Sequence, residues 1–323
     1  MSEAPVMSPR IAWNNKLANA FIAGHKTTSR YPKVSAQAGT EPLDITGLKP
    51  FGYNPAVIED NGFMVMAYRH HHEPSLATQL MLAQVDPTGE ILSNRVIVTE
   101  ANRSAEDPKF FHHDEELYMS FVISSAPITP FRSVVRYGKL INGRLEDIKQ
   151  PNIGRNDWSI MEKNWVFFSH QGRLHCIHHC HPQQQIYCLD DGEPVNTYET
   201  EGPRWDYGPI KGGTPPIEFN GNYLRFFHST LDNEFGTYNR RYFVGACTMA
   251  AKPPFQVLRV SKRPILFGSE IDNLKVRDRP FHWKANVVFP GGIAVLENGF
   301  AVSVGVNDSA CLLVKITPEM LKL

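Results

Sequence analysis

Residues 106–121 read Glu106-Asp107-Pro108-Lys109-Phe110-Phe111-His112-His113-Asp114-Glu115-Glu116-Leu117-Tyr118-Met119-Ser120-Phe121. A polar phrase containing proline leads into an aromatic run, a polar tight turn follows, and a second strand-like run returns. Asp, Asn and Gly suit such turns because they tolerate left-handed backbone at low steric cost. The same unit recurs along the chain. Its turns are Glu59-Asp60-Asn61-Gly62, His113-Asp114-Glu115-Glu116, His170-Gln171-Gly172-Arg173, Phe219-Asn220-Gly221-Asn222 and Glu297-Asn298-Gly299. Upstream of them lie Asn54-Pro55-Ala56-Val57, Glu106-Asp107-Pro108-Lys109, Glu162-Lys163-Asn164-Trp165, Gly213-Thr214-Pro215-Pro216 and Val288-Phe289-Pro290-Gly291. Downstream come strands that end in polar groups: Tyr68-Arg69-His70, Ser120-Phe121, His178-His179, Phe227-His228 and Gly305-Val306-Asn307-Asp308.

Successive turns are 53, 57, 49 and 78 residues apart, which suits the roughly 40 to 65 residues of a four-stranded blade with its loops. Five phased units predict an all-β, five-bladed β-propeller. Each blade hides its apolar faces only against its neighbours, so the array must close into a ring. The competing reading is an irregular β-sandwich. In a propeller, all five polar phrases face the central axis, and an axial active-site pocket follows. Residues 41–323 are assigned to the propeller. Residues 1–40 are read as an N-terminal extension that packs on it or mediates association.

The chain has 323 residues, of which 42% are hydrophobic, enough for a substantial core. Thirty-three basic residues balance thirty-three acidic ones, which argues against a nucleic-acid binder held by broad phosphate neutralisation. Five cysteines form an odd set, and the start MSEAPVMSPR lacks the apolar run of a secretory signal. A soluble, cytoplasmic protein with no membrane span is expected. Copies could associate through outer-strand edges or residues 1–40 as a homo-oligomer.

At the five phrases the sequence resembles the family 130 glycoside hydrolases and phosphorylases, five-bladed propellers that act mostly on β-mannosides. The resemblance is carried by Asn54-Pro55-Ala56 with Tyr68-Arg69, Glu106-Asp107-Pro108, Lys163-Asn164, Gly213-Thr214-Pro215-Pro216-Ile217 with Phe227-His228, and Asn286 to Gly292 with Gly305-Val306-Asn307-Asp308. These segments occur in the family's order and span residues 54 to 308.

The resemblance implies that Asp107 is the general acid, protonating the departing oxygen through a sugar hydroxyl. That role asks for a raised pKa, and burial beside Glu106 is expected to supply one. The resemblance also sets Lys163 and His228 near a bound anion, and makes Arg69 a sugar or phosphate contact and Asp308 a ligand of substrate hydroxyls. Asn54, Asn164 and Glu106 join the substrate-binding set. Lys109 stands where the family usually has Arg, which removes a planar bidentate anion clamp but keeps a charge for phosphate. No cofactor is implied, inorganic phosphate being the co-substrate.

Aromatic rings stack on the apolar faces of sugars, and Trp165, Tyr53, Trp205, Tyr207 and Phe289 are candidates. Trp165, adjacent to Lys163-Asn164, stands above the rest, for which core packing is the better reading. Arg132, Arg136 and Arg155 are read as solvated surface charge. The cluster His175-Cys176-Ile177-His178-His179-Cys180-His181 invites a metal reading. However, same-face positions on a strand lie roughly 6.6 Å apart, so three of them span too far for one tetrahedral ion. No metal is expected.

The leading functional reading is an inverting glycoside phosphorylase acting on a β-mannoside or similar short oligosaccharide or sugar phosphate. Three alternatives stay open. One is a glycosyltransferase fed by a nucleotide sugar, which segment 229 to 241 would help to bind. Another is a hydrolase, which needs a second carboxylate such as Glu162 or Asp206. The third is a non-catalytic sugar-binding propeller.

Overall fold

The computed structural model describes residues 34–36, 41–43, 48–49, 52–60, 63–71, 77–85, 91–100, 102–233, 236–268, 284–296 and 298–323. The turn residues Asn61-Gly62, Glu297 and most of the segment 1–40 lie outside the described residues. Two short strands come first, β1 (Val34–Ala36) and β2 (Glu41–Leu43).

Five antiparallel sheets follow, built from strands that neighbour one another in sequence, with β1 and β2 joining the fourth and fifth. Blade 1 holds β3 (Tyr53–Asp60), β4 (Phe63–His71), β5 (Thr78–Val85) and β6 (Ile91–Val98). Blade 2 holds β7 (Ser104–His113), β8 (Glu116–Ser124), β9 (Ser133–Ile141) and β10 (Arg144–Lys149). Blade 3 holds β11 (Val166–His170), β12 (Arg173–His179), β13 (Gln183–Asp190) and β14 (Glu193–Glu201).

Blade 4 is larger. Its inner edge is divided into β15 (Ile210–Gly213) and β16 (Ile217–Phe219), interrupted at Pro215-Pro216, which have no N–H to give the ladder. Both pair with β17 (Asn222–Asn233), which pairs with β18 (Gly236–Ala250). Outside these lie β19 (Val257–Val260) and β20 (Leu266–Gly268), and β1 pairs with β20. The long β17–β18 hairpin and the extra strands account for the 78-residue interval in the sequence repeat. Blade 5 holds β21 (Val288–Leu296), β22 (Gly299–Val306) and β23 (Ala310–Ile316). Its fourth strand is β2 from the other end of the chain, paired with β23 in the register Glu41↔Lys315 to Leu43↔Leu313. This pairing ties the two ends of the ring together.

The turns behave as their chemistry dictates. Asp114-Glu115, Gln171-Gly172 and Asn220-Gly221 all have positive φ at both central residues. Each sits between residues that face one another across a hairpin, such as His170↔Arg173 and Phe219↔Asn222. This is the backbone that matches the twist of the flanking strands.

The core is divided as a propeller requires. Ala56, Leu80, Phe110 and Phe121 fill the seam between blades 1 and 2, and Tyr137, Phe167 and Cys176 that between 2 and 3. Phe168, Tyr223 and Phe255 pack between blades 3 and 4, Phe226, Val244 and Val304 between 4 and 5, and Met66, Tyr68 and Leu313 between 5 and 1. Every neighbouring pair of blades is sealed, so the sandwich reading is set aside. Among the described residues no helix is long and apolar enough to cross a membrane.

Candidate active site

The inner strands carry the polar phrases, and their ladders break there. Register shifts fall between Tyr53 and Ala56, Glu106 and Lys109, Lys211 and Gly213, and Pro290 and Gly292. Pro55 and Pro108 lie inside two of these bulges, where a missing N–H costs least. Asn54, Asp107, Asn164 and Asp308 adopt φ of 49°, 47°, 67° and 49°. Asn and Asp are the side-chain-bearing residues that enter this left-handed region most readily. Left-handed backbone thus aims short polar side chains toward the axis: at the bulges of blades 1 and 2 for Asn54 and Asp107, just ahead of β11 for Asn164, and in the β22–β23 turn for Asp308.

An axial cavity of about 370 Å³ lies among them. Asn54, Arg69, Glu106, Asp107, Lys163, Asn164, His228 and Asp308 all line it. These eight residues come from all five blades, and the ring brings them together as the phased repeat predicts.

Asp107 is at the centre of the contacts. Its Oδ1 accepts from Asn54 Nδ2 at 3.0 Å and from Arg69 Nη1 at 3.4 Å. Arg69 Nη1 also lies 3.4 Å from Glu106 Oε2, and its guanidinium stacks 4.7 Å from the Tyr53 ring centroid. Ser124 Oγ donates to Glu106 Oε1. Burial opposes ionisation of Asp107, but Arg69, Lys109, Lys163 and the Asn54 amide together outweigh it and hold its carboxyl below the usual range. The expectation of a raised Asp107 pKa is therefore corrected to a lowered one. The cations around the carboxylate and the Asn54 amide win over burial.

The opposite wall differs. His228 is buried, and its Nδ1 lies against the Gly212 carbonyl. A carbonyl can only accept, so Nδ1 carries the proton and Nε2 is the acceptor. Burial, reinforced by Lys211, Lys109 and Lys163, pushes His228 down to about 3. It is a neutral ring at ordinary pH, stacked on Tyr242 at 5.8 Å and 9°. Lys211, Arg240 and Tyr242 line the cavity on the same side. On blade 5, Lys284 Nζ lies 2.9 Å from Asp308 Oδ2.

Two expected ligands are placed elsewhere. Trp165 is 2% exposed, and its Nε1 donates to Glu162 Oε2 at 3.1 Å while its ring meets His178 edge-on. It packs in the seam between blades 2 and 3, so the sugar-stacking role is corrected to a core role. Lys109 is likewise 2% exposed, and its Nζ rests 5.1 Å from the Phe289 ring centroid. It acts on the cavity through its charge beside Asp107, in place of the direct phosphate contact expected of it. Of the other aromatic candidates, Phe289 alone is among the described residues lining the cavity.

Sequence reading missed Lys211, Tyr242 and Lys284, included Arg240 only within the segment 229 to 241, and read Arg132 as surface charge although it lines the cavity. Lys211 and Lys284 flank the polar phrases of their blades, and that adjacency was the available signal. Arg136 pairs with Glu100 at 2.6 Å, and Arg155 Nε donates to Ser159 Oγ, so neither is brought to the axis. Among the described residues no group of three or more His, Cys, Asp or Glu is arranged to hold a metal ion.

Residues 46–323 match the family model described as beta-1,4-mannooligosaccharide phosphorylase, glycoside hydrolase family 130. The chain belongs to glycoside hydrolase family 130. It is accordingly a carbohydrate-active, glycosyl-transferring enzyme of the phosphorylase and hydrolase kind. No curated protein matches this chain in sequence.

Solved structures share the family 130 fold at low identity. A β-1,2-mannobiose phosphorylase from Listeria innocua is 14% identical, with TM-score 0.59 over 88% of this chain and 92% of that one. A glycosyl hydrolase from Bacteroides ovatus is 15% identical, with TM-score 0.59 over 91% and 97%. A GDP-Man-dependent mannosyltransferase from Leishmania mexicana is 15% identical, with TM-score 0.58 over 86% and 88%. The solved structures of this fold thus include a phosphorylase, a hydrolase and a mannosyltransferase. The choice among them rests on the cavity.

Proposed function

We propose that this chain is an inverting β-mannoside phosphorylase, with phosphate as the nucleophile and Asp107 as the acid. The observation that supports it is the pairing, in one axial cavity, of a caged carboxylate with a wall of cations. Among the described lining residues, Arg69, Arg132, Lys163, Lys211, Arg240 and Lys284 outnumber Glu106, Asp107 and Asp308 by six to three. A neutral sugar does not require such an excess, whereas a phosphate dianion does.

Phosphate held by Lys163 and Lys211 attacks the anomeric carbon of the mannosyl unit. The C–O bond to the leaving sugar breaks on the opposite face, and the departing oxygen takes the Asp107 proton through a sugar hydroxyl. The products are α-mannose 1-phosphate and the shortened acceptor. The cations around Asp107 favour its carboxylate, so the proton must be brought in. Monohydrogen phosphate carries one, and its negative charge offsets Lys163 and Arg69, which otherwise favour the carboxylate. Across the cycle the proton passes from phosphate to the leaving oxygen, and charge balances. Neutral His228, an acceptor at Nε2, suits a P–OH or a sugar hydroxyl as its donor.

The hydrolase reading has less support. Glu162 is engaged by Trp165, the Arg155 backbone and His178, Asp206 is exposed, and neither lines the cavity. The nucleotide-sugar reading keeps one specific observation, since Arg240 of the segment 229 to 241 does line it, with Tyr242 just beyond the segment. To test the choice, the protein is incubated with α-mannose 1-phosphate or GDP-mannose and a panel of acceptor sugars, and released phosphate and GDP are read separately. Phosphate release that depends on Asp107 is expected, and GDP release alone would overturn the phosphorylase reading.

A further inference from the structure

A second cavity, of about 250 Å³, lies behind the cationic wall, where β12 of blade 3 meets β15 of blade 4. Lys163, Asn164 and Lys211 line both this side pocket and the axial cavity. The two spaces therefore share two lysines, Lys163 and Lys211, in their lining. The pocket's other lining includes His178 and Cys180, which are buried, and His179 and His181, which are exposed and mark its opening to solvent. Among the described residues no carboxylate lines it.

A third positive charge stands behind this lining. Arg225 is completely buried on β17, and its Nη2 contacts Cys180 Sγ at 3.4 Å. Among the described residues its Nε and Nη1 have no hydrogen-bond partner, and no carboxylate is among the groups that act most on its charge. A buried guanidinium without a carboxylate is costly to the fold and leaves a positive field in its surroundings. Among the described residues, the groups that act most on its charge are two thiols, Cys180 and Cys247. Two lysines on one side and this guanidinium on the other make the pocket a place where an anion is favoured.

We infer that the side pocket is a second subsite for a phosphoryl oxyanion, joined to the axial cavity through Lys163 and Lys211. The inference rests on the reading that the axial cavity holds the phosphoryl group next to the anomeric carbon. Two sources share this chemistry. Free phosphate can wait here while the oligosaccharide fills the axial mouth. Alternatively, the distal phosphate of a diphosphate-linked sugar lies here while its proximal phosphate occupies the axial cavity.

Binding of inorganic phosphate and, in a separate arm, of GDP to the full chain is measured by titration calorimetry. The wild type is compared with the His179→Glu/His181→Glu variant, which places two negative charges at the pocket's exposed opening. A weakening of about tenfold or more is expected in at least one arm. Loss confined to phosphate identifies free phosphate as the occupant, and loss confined to GDP identifies a diphosphate. Unchanged affinity in both arms overturns the inference. Because the readout is binding, it stands even if no sugar is ever turned over, an outcome that would count against the phosphorylase reading alone. Should the variant fail to fold, alkylation of Cys180 in the wild type is followed by peptide mass. Saturating phosphate or GDP is expected to slow it several-fold relative to Cys311 on blade 5, and equal rates with and without ligand overturn the inference.

Discussion

The two halves of the axial cavity are built from the same repeat yet differ in charge. Blades 1, 2 and 5 supply Glu106, Asp107 and Asp308, each of which faces a cation, Arg69 or Lys284, at 2.9 to 3.4 Å. Blades 3 and 4 supply Lys163, Lys211, Arg240 and the neutral His228, with no carboxylate among the described lining residues. The first half holds a proton donor among compensated charges. The second gathers positive charge that attracts an anion. A cavity divided in this way can seat a neutral sugar and a phosphate side by side, without letting the carboxylates repel the nucleophile.

The division can be broken most strongly at Lys163. Replacing it with Met removes a charge-assisted contact worth about 1.5 to 3 kcal/mol, so KM for phosphate is expected to rise roughly tenfold to a hundredfold. KM for the oligosaccharide should change little, and steady-state kinetics with each substrate varied in turn checks the contrast. Equal rises in both would show that the cationic wall is not specific to the anion.

Lys109 tests how the halves communicate. Its buried ammonium lowers the Asp107 pKa from outside the cavity, so Lys109→Met is expected to raise that pKa. The high-pH limb of kcat, which reports loss of the acid's proton, should then move upward. An unmoved limb would mean that Lys109 is only a packing residue.

Acid stability separates the halves further. His228 is neutral in the fold and titrates at about 3, whereas an unfolded histidine titrates near 6.5. The unfolded chain binds the extra proton between these limits, so stability is lost as pH falls from about 6.5 toward 3. The depressed Asp107 contributes stability that is lost only below the ordinary carboxylate range. In His228→Gln the melting temperature is expected to depend less on pH between 7 and 4, and thermal unfolding across that range checks it.

The smallest effect is expected at Trp165. Because it fills the seam between blades 2 and 3, Trp165→Phe should lower the melting temperature by a few degrees and leave KM for sugar unchanged.

What the sequence disclosed follows the same division. The fold was legible because turns such as Gln171-Gly172 and Asn220-Gly221 state their backbone locally, and a repeat multiplies that local signal. The acid half was legible because bulged Asn54-Pro55 and Asp107-Pro108 leave compact phrases. Lys211, Arg240 and Lys284 were not, since a lone basic residue looks the same on a rim as on a wall, and only ring closure shows where it lies. Trp165 misled for a related reason. Asn164 has left-handed backbone, and its neighbour in sequence enters the seam while Asn164 itself lines the cavity.

Glycines show how closely the blades must approach. A Cβ on Gly212 would lie 1.7 Å from the Asn164 carbonyl oxygen, and one on Gly305 would lie 2.2 Å from Asn54 Oδ1. The inner strands therefore position Asn54 and Asn164 by direct backbone contact between blades.

The most direct test of the divided cavity is Asp107→Asn, with phosphate binding and β-mannoside phosphorolysis measured on the same protein. Turnover is expected to fall at least about a hundredfold, as for loss of a general acid, while phosphate binds as tightly as before or tighter because a nearby negative charge is gone. Turnover within a fewfold of wild type, or a loss of phosphate binding in step with the loss of turnover, would contradict the assignment of proton and anion to separate walls.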